Sequence, residues 1–184
     1  MRLFFCVELD ENVKRELGAL IDRLRPRCGD AKWVTPANLH LTVRFLGEVE
    51  EGRLGELEVL AGEVAREFAP FSLTLERLSA FPSPRRARVL WVGPAGDAGE
   101  FVALMRSVEE KVRRLGFRPE MKEPRAHVTL ARFRVPRDLG RVVAEAGPKR
   151  PLRVEVRELT LMRSTLRPEG PIYTPIFRVP LGGS

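Results

Sequence analysis

Apolar positions fall along the chain in two alternating rhythms, short strand-like runs and longer stretches at helical spacing. Residues 2–9, RLFFCVEL, form a short apolar run that predicts a buried strand. Val13, Leu17, Leu20, Ile21 and Leu24 then recur three and four apart, which predicts a helix over 11–25. Asp10 can cap it, and Pro26 and Gly29 are expected to end it. Residues 31–34 and 39–46 predict two strands separated by the turn TPAN. Leu54, Leu57, Leu60, Ala61, Val64 and Phe68 line one side of a helix over 51–68. Strand pattern returns at 71–80 and 87–93, on either side of the turn or loop PSPRR (82–86). Asp97 can cap a helix running to Leu115, with Gly116 as its stop. The remainder reads as a strand at 127–133, a short helix near 138–146, strong alternation over 152–166 and a last strand at 172–181.

The order strand–helix–strands–helix therefore occurs twice. Helices interleaved with hairpin-like strand pairs predict an α+β fold with mostly antiparallel sheets, not a doubly wound parallel sheet. The 184 residues fit one domain, 1–184, or two small lobes sharing a core, and no linker or low-complexity tract divides them.

Composition narrows the function classes. No apolar run approaches the ~20 residues of a membrane helix. Glu8 and Asp10 interrupt the N-terminal apolar stretch and no small-residue cleavage site follows, so no signal peptide is expected and the cytoplasm is the default location. Two cysteines, Cys6 and Cys28, without a CxxC, suggest neither a disulfide framework nor a zinc site. The net charge is +7, and with five lysines among 32 basic residues, 32 − 5 = 27 are arginine. Arginine makes planar, bidentate contacts to phosphate, so an anionic partner such as nucleic acid is favoured, although genome composition or heat adaptation gives the same bias.

The chain contains only two histidines, His40 in NLHLTVRF and His127 in RAHVTLAR. Both sit in the same pattern: His, apolar, Thr, apolar. Thr fills seven of the 184 positions, so both histidines having Thr two residues later has a chance of (7/184)², roughly one in 700. The copies lie 127 − 40 = 87 residues apart, near half the chain, which suggests two similar halves. On a strand, residues i and i+2 share a face. His and Thr then project together, while Leu41, Val43, Val128 and Leu130 point into the core. If the two strands lie side by side about a pseudo-twofold axis, two imidazoles and two hydroxyls meet in one cleft. Phosphoryl transfer needs such a set, one group to take a proton, one to give a proton, and donors for the non-bridging oxygens. Strand parity puts Arg44 and Arg125 in phase with these residues and Arg132 out of phase. Arg132 reaches the cleft only if its strand bulges or ends after Leu130.

With both motifs placed, the chain resembles the bacterial and archaeal branch of the two-histidine (2H) phosphoesterase superfamily known as 2′-5′ RNA ligase or RNA 2′,3′-cyclic phosphodiesterase. The resemblance covers nearly the whole chain. It rests on RLFFCVEL (2–9), WVTPANLHLTVRFLGEV (33–49), AHVTLAR (126–132) and ELTLMRSTLRPEGPIYTPI (158–176). It implies a bilobal α+β fold, with two pseudo-symmetric antiparallel sheets forming a central cleft and helices packed on the outer faces. It implies metal-independent hydrolysis of an RNA 2′,3′-cyclic phosphate to a 2′-phosphate, with reversible 2′-5′ joining. By resemblance His40 is the general acid and His127 the general base, a distinction the nearly symmetric motifs do not make by themselves. Thr42, Thr129 and Arg132 would hold phosphate, and Phe45 would lie near the nucleobase. Trp33 and Tyr173 are further stacking candidates, and PSPRRAR (82–88) is a candidate RNA strip.

No cofactor and no metal are expected, and a monomer is the default. The partner the resemblance implies is RNA or a nucleotide ending in a 2′,3′-cyclic phosphate. Two other readings stand beside this one. One is a phosphodiesterase for a small cyclic phosphate or nucleotide. The other is an RNA- or nucleotide-binding module without catalysis, against which the intact His/Thr pairs count.

Overall fold

The chain builds a sheet with two arms and covers one side of it with helices. A computed structural model describes residues 1–96 and 98–182. Its elements are β1 (Arg2–Glu8), α1 (Glu11–Cys28), β2 (Lys32–Trp33), β3 (His40–Glu48), α2 (Leu54–Arg66), β4 (Phe71–Leu75), β5 (Arg77–Ser83) and β6 (Arg86–Gly93). They continue with α3 (Gly99–Arg114), β7 (Val128–Arg137), α4 (Gly140–Glu145), β8 (Leu152–Val156), β9 (Glu158–Arg167) and β10 (Gly170–Pro180). The expected α+β architecture with antiparallel pairing is present.

The main sheet runs β10–β9–β1–β3–β7–β6–β5, with β2 alongside β7. Its arms are β10–β9–β1–β3 and β7–β6–β5. They meet at a single residue pair, Leu41 with Val128. A second, two-stranded sheet pairs β4 with β8. No helix among the described residues is long and apolar enough to cross a membrane.

Helices cover one face because period two on the strands meets period 3.6 on the helices. Leu3, Phe5 and Val7 of β1, with Leu41 and Val43 of β3, pack with Leu17 and Leu24 of α1, Leu57 and Val64 of α2, and Phe101, Leu104 and Val108 of α3. The opposite face of β1 carries Phe4 and Cys6, which join Met162 and Tyr173 in a separate small cluster.

Several boundaries differ from the sequence pattern, and the expected loop 82–86 narrows to a tight turn between β5 and β6. Helix α1 runs through Pro26 to buried Cys28. In the last turn proline forfeits only one backbone bond, and burial of Cys28 offsets it. The alternating stretches 71–80 and 152–166 are each two strands, broken at Glu76 and Arg157 where the chain passes from the small sheet to the large one. Period two survives the crossing, so hydropathy does not show it. The backbone stays satisfied there, the Glu76 amide donating to the Gly93 carbonyl and the Arg157 carbonyl accepting from Leu181. The proposed cap Asp97 lies outside the described residues.

Two bulges decide which side chains reach the uncovered face. Along β3, Thr42 opposes Cys6, but Arg44 opposes Phe5 and Phe45 opposes Phe4, so Val43 is an extra residue. Along β7, Thr129 opposes Trp91, Ala131 opposes Leu90 and Arg132 opposes Val89, so Leu130 is extra. Val43 and Arg44 are both buried, as are Leu130 and Ala131. Parity alone assigned Arg44 to the cleft; the bulge turns it to the helix side instead. There its guanidinium bonds the Glu109 carboxylate and the carbonyls of Phe45 and Arg118. Burial alone would raise the Glu109 carboxyl, but the bonds from Arg44, Arg113 and the Glu120 amide hold it down at about 2.

Removing Glu109 leaves the Arg44 charge buried without its partner. Glu109→Ala is expected to lower the unfolding free energy by ~3–5 kcal/mol. Urea denaturation of the variant measures this, and a loss under ~1 kcal/mol means that the pair is not a buried latch.

Candidate active site

The histidines owe their positions to the Leu41–Val128 pair. Leu41 and Val128 are fully buried, so their neighbours in each strand face the uncovered side. Continuing the antiparallel register one residue either way sets His40 opposite Thr129 and Thr42 opposite His127. The two His-x-Thr segments thus form a four-cornered group about a local two-fold axis.

Each imidazole is anchored in the same way. His40 Nδ1 lies 2.7 Å from the carbonyl of Asn38, and His127 Nδ1 lies 3.0 Å from the carbonyl of Arg125. In both cases the acceptor is two residues upstream. A carbonyl only accepts, so Nδ1 carries the hydrogen and Nε2 is left to exchange protons. His40 Nε2 lies 2.9 Å from Thr42 Oγ1. Each ring is also flanked by two aromatic residues. Phe4 and Tyr173 lie 5.0 and 5.4 Å from His40, and Phe81 and Trp91 lie 5.1 and 6.0 Å from His127, centroid to centroid.

Burial lowers the basicity of both rings. His40 is held down at about 4, chiefly by desolvation, with the fields of His127, Arg132 and Lys14 adding to it and the Asn38 bond opposing. His127 is lowered for the same first reason, then by Arg132, Arg125 and Lys122, against its Arg125 carbonyl bond. Glu8 sits opposite His40 in register, but its carboxylate is engaged by Arg178 and Thr160. The charged groups felt by the two rings are cations, which makes the cleft attractive to anions.

The bulges give the halves a matched position five residues after each histidine, Phe45 in one and Arg132 in the other. Phe45 is 52% exposed and its ring lies 5.5 Å from that of Phe4. Arg132 is exposed and acts on His40, His127 and Tyr173. Arg125 lies over the Trp91 ring, 5.7 Å from its centroid. Tyr173 borders the cleft beside His40. Trp33 does not; it pairs with buried Ala131 and stacks with Arg25 of α1 on the helix side. Phe4, Phe81, Trp91 and Asn38 were not singled out by the sequence. The aromatics come from strands far apart in the chain and carry no joint signal. Asn38 adds a second bond, its Nδ2 donating to the Pro171 carbonyl at 2.8 Å, which ties the β9–β10 hairpin to the turn before His40.

A model of the family described as LigT like Phosphoesterase matches residues 7–91 and again 92–173, one match to each half. The chain belongs to this family. An Archaeoglobus fulgidus protein named RNA 2′,3′-cyclic phosphodiesterase is 38% identical over 174 residues, covering 94% of this chain and 96% of that one. A Methanothermobacter thermautotrophicus protein of the same name is 34% identical over 184 residues, covering 97% and 99%. Among solved structures, E. coli LigT complexed with 3′-AMP aligns with a TM-score of 0.82 at 27% identity, covering 99% of this chain and 98% of that chain. TT0787 of Thermus thermophilus aligns at 0.79 with 32% identity, covering 100% and 99%. The LigT-like phosphoesterase fold is therefore shared along the whole chain.

With two histidines, an NMR titration reads the site directly. His40 is expected to titrate near 4 and His127 below 6.5 in the free protein. A midpoint at 6.5 or above for His40 contradicts its placement between Phe4 and Tyr173.

Proposed function

We propose that this LigT-like phosphoesterase hydrolyses RNA 2′,3′-cyclic phosphate ends to 2′-phosphates by two-histidine acid–base catalysis. The observation that carries this reading is the pair of imidazoles with Nδ1 bonded to a carbonyl and Nε2 left for proton exchange. Relatives at 30–38% identity over nearly the full length bear the phosphodiesterase name, which supports the substrate class.

In the proposed step, His127 Nε2 takes a proton from water as the water oxygen attacks phosphorus. The P–O3′ bond breaks, and protonated His40 gives its Nε2 proton to O3′. The products are a 2′-phosphate and a 3′-hydroxyl. Thr42 and Thr129 donate to the non-bridging oxygens as charge builds on them. Arg132 neutralises the phosphate from the second half. Phe45 offers its exposed ring to the terminal base. An RNA 5′-hydroxyl in place of water gives a 2′-5′ linkage through the same transfers. Among the described residues no three His, Cys, Asp or Glu side chains gather as a ligand set, and the proposed transfers use none.

The bound phosphate anion favours charged imidazole, so it raises His40 from its free value into the acid's working range. The kcat/KM profile reports the free protein and is expected to be a bell with both limbs below 6.5. The kcat bell reports the complex and should lie at higher pH.

The deciding assay incubates the protein with RNA bearing a 2′,3′-cyclic phosphate and locates the product phosphate. His40→Ala and His127→Ala should each lower kcat by about 10²–10⁴-fold with the fold retained. Activity should survive EDTA. Arg132→Ala should lower kcat on a mononucleotide 2′,3′-cyclic phosphate. A 3′-phosphate product, near wild-type turnover in either histidine variant, or loss in EDTA reversed by a divalent ion would each overturn the corresponding assignment.

A further inference from the structure

Three cations share the cleft face of β7 and β2. Arg132 and Arg134 are exposed on either side of buried Phe133, so they point the same way. Lys32 pairs directly with Arg132 across the two strands, whereas the next pair, Trp33 with Ala131, faces the core. Like charges opposite one another on a sheet are destabilising. Some surface arginines meet carboxylates, as in Arg27 with Glu145 and Arg150 with Glu16. Among the described residues, Lys32, Arg132 and Arg134 have no side-chain hydrogen bond or ion pair to an acidic group. The sheet carries a local electrostatic cost that an anion would relieve.

The direction of this row is informative. Because β3 and β7 are antiparallel, Phe45 and Arg132 leave the Leu41–Val128 pair in opposite directions. Arg134 lies a further ~7 Å along β7, about one nucleotide step. A ribose has the same two-sidedness. Its cyclic phosphate spans C2′ and C3′, the base leaves from C1′ on one flank, and the 5′ chain leaves from C4′ on the other. A terminal nucleoside with its phosphate among the four His and Thr side chains and its base toward Phe45 sends its 5′ oxygen toward Arg132 and Arg134.

We infer that Lys32 and Arg134 form a subsite for the phosphate on the 5′ side of the terminal nucleoside. This rests on the proposed reaction and adds a specificity to it. The substrate is a nucleotide or RNA end carrying that further phosphate, rather than a bare nucleoside cyclic phosphate. Arg132 serves the reacting phosphate, and Lys32 and Arg134 serve its neighbour.

The test compares three substrates, adenosine 2′,3′-cyclic phosphate, the same compound with a 5′-phosphate, and the dinucleotide ApA ending in a 2′,3′-cyclic phosphate. The wild-type protein should cleave the second and third with kcat/KM about fivefold or more above the first. In the double variant Lys32→Ala, Arg134→Ala that advantage should disappear, while cleavage of the first stays within about twofold. The salt dependence for the dinucleotide should flatten by ~0.7 in log–log slope for each cation–phosphate pairing removed. Arg134→Lys should restore part of the preference, and unchanged circular dichroism and Tm exclude a folding effect. A response to the dinucleotide alone places the subsite at an internal diester, and a response to both places it at either phosphate form. Equal rates on all three substrates in the wild type overturn the subsite, as does a double variant that slows all three alike. If the wild type cleaves none of them, the proposed reaction itself fails and the subsite with it.

Discussion

One backbone pair governs the rest of the molecule. Leu41 and Val128 meet where the two arms of the sheet touch, and their burial fixes which way every neighbour faces. A slip of one residue in either strand would drive its imidazole toward the core and bring its buried aliphatic side chains to the surface. The apolar cost of that exchange holds the register. Because the pairing of β3 with β7 is confined to these two residues, the arms are free to diverge on either side of them.

The same backbone device then appears twice with different contents. Each arm inserts one extra residue just past its threonine, at Val43 and at Leu130. The bulge in β7 buries only Leu130 and Ala131, which suit an apolar core. The bulge in β3 buries Arg44, whose charge must be met by Glu109 and two carbonyls. The bulge in β3 is therefore bolted to α3 through an ion pair, whereas the bulge in β7 is held by apolar packing. The outward residue just past each bulge differs too, aromatic at Phe45 and cationic at Arg132. A near-symmetric frame thus acquires an aromatic end and a cationic end through one position in each half.

Much of this was legible in the chain and part was not, for identifiable reasons. The strands and helices follow from periodicity, and the grouping of His40, Thr42, His127 and Thr129 follows from their spacing and duplication. The condition on Arg132, that its strand bulge after Leu130, could be stated in advance, although only the folded chain shows that it holds. Arg44 failed the same parity rule because nothing in VRF marks an extra residue. The strand breaks at Glu76 and Arg157 were invisible because alternation continues through them. The aromatic walls around each imidazole come from β1, β5, β6 and β10, so they exist only once the sheet is assembled.

The carbonyls of Asn38 and Arg125 have a consequence for successive turnovers. By occupying Nδ1 on each ring, they leave each histidine one nitrogen through which protons can come and go. Under the proposed roles a cycle starts with the charge on His40 and ends with it on His127. The product state is then close to the starting state turned by half a revolution about the axis at Leu41 and Val128. Forward hydrolysis must reset the catalyst by moving a proton from His127 back to His40, through solvent or between the rings. A joining reaction through the same transfers would move the charge in the same direction and need the same reset. Under those roles the two-fold axis would set the two rings as equivalent stations for one proton, whose position records whether the site is ready for another turnover.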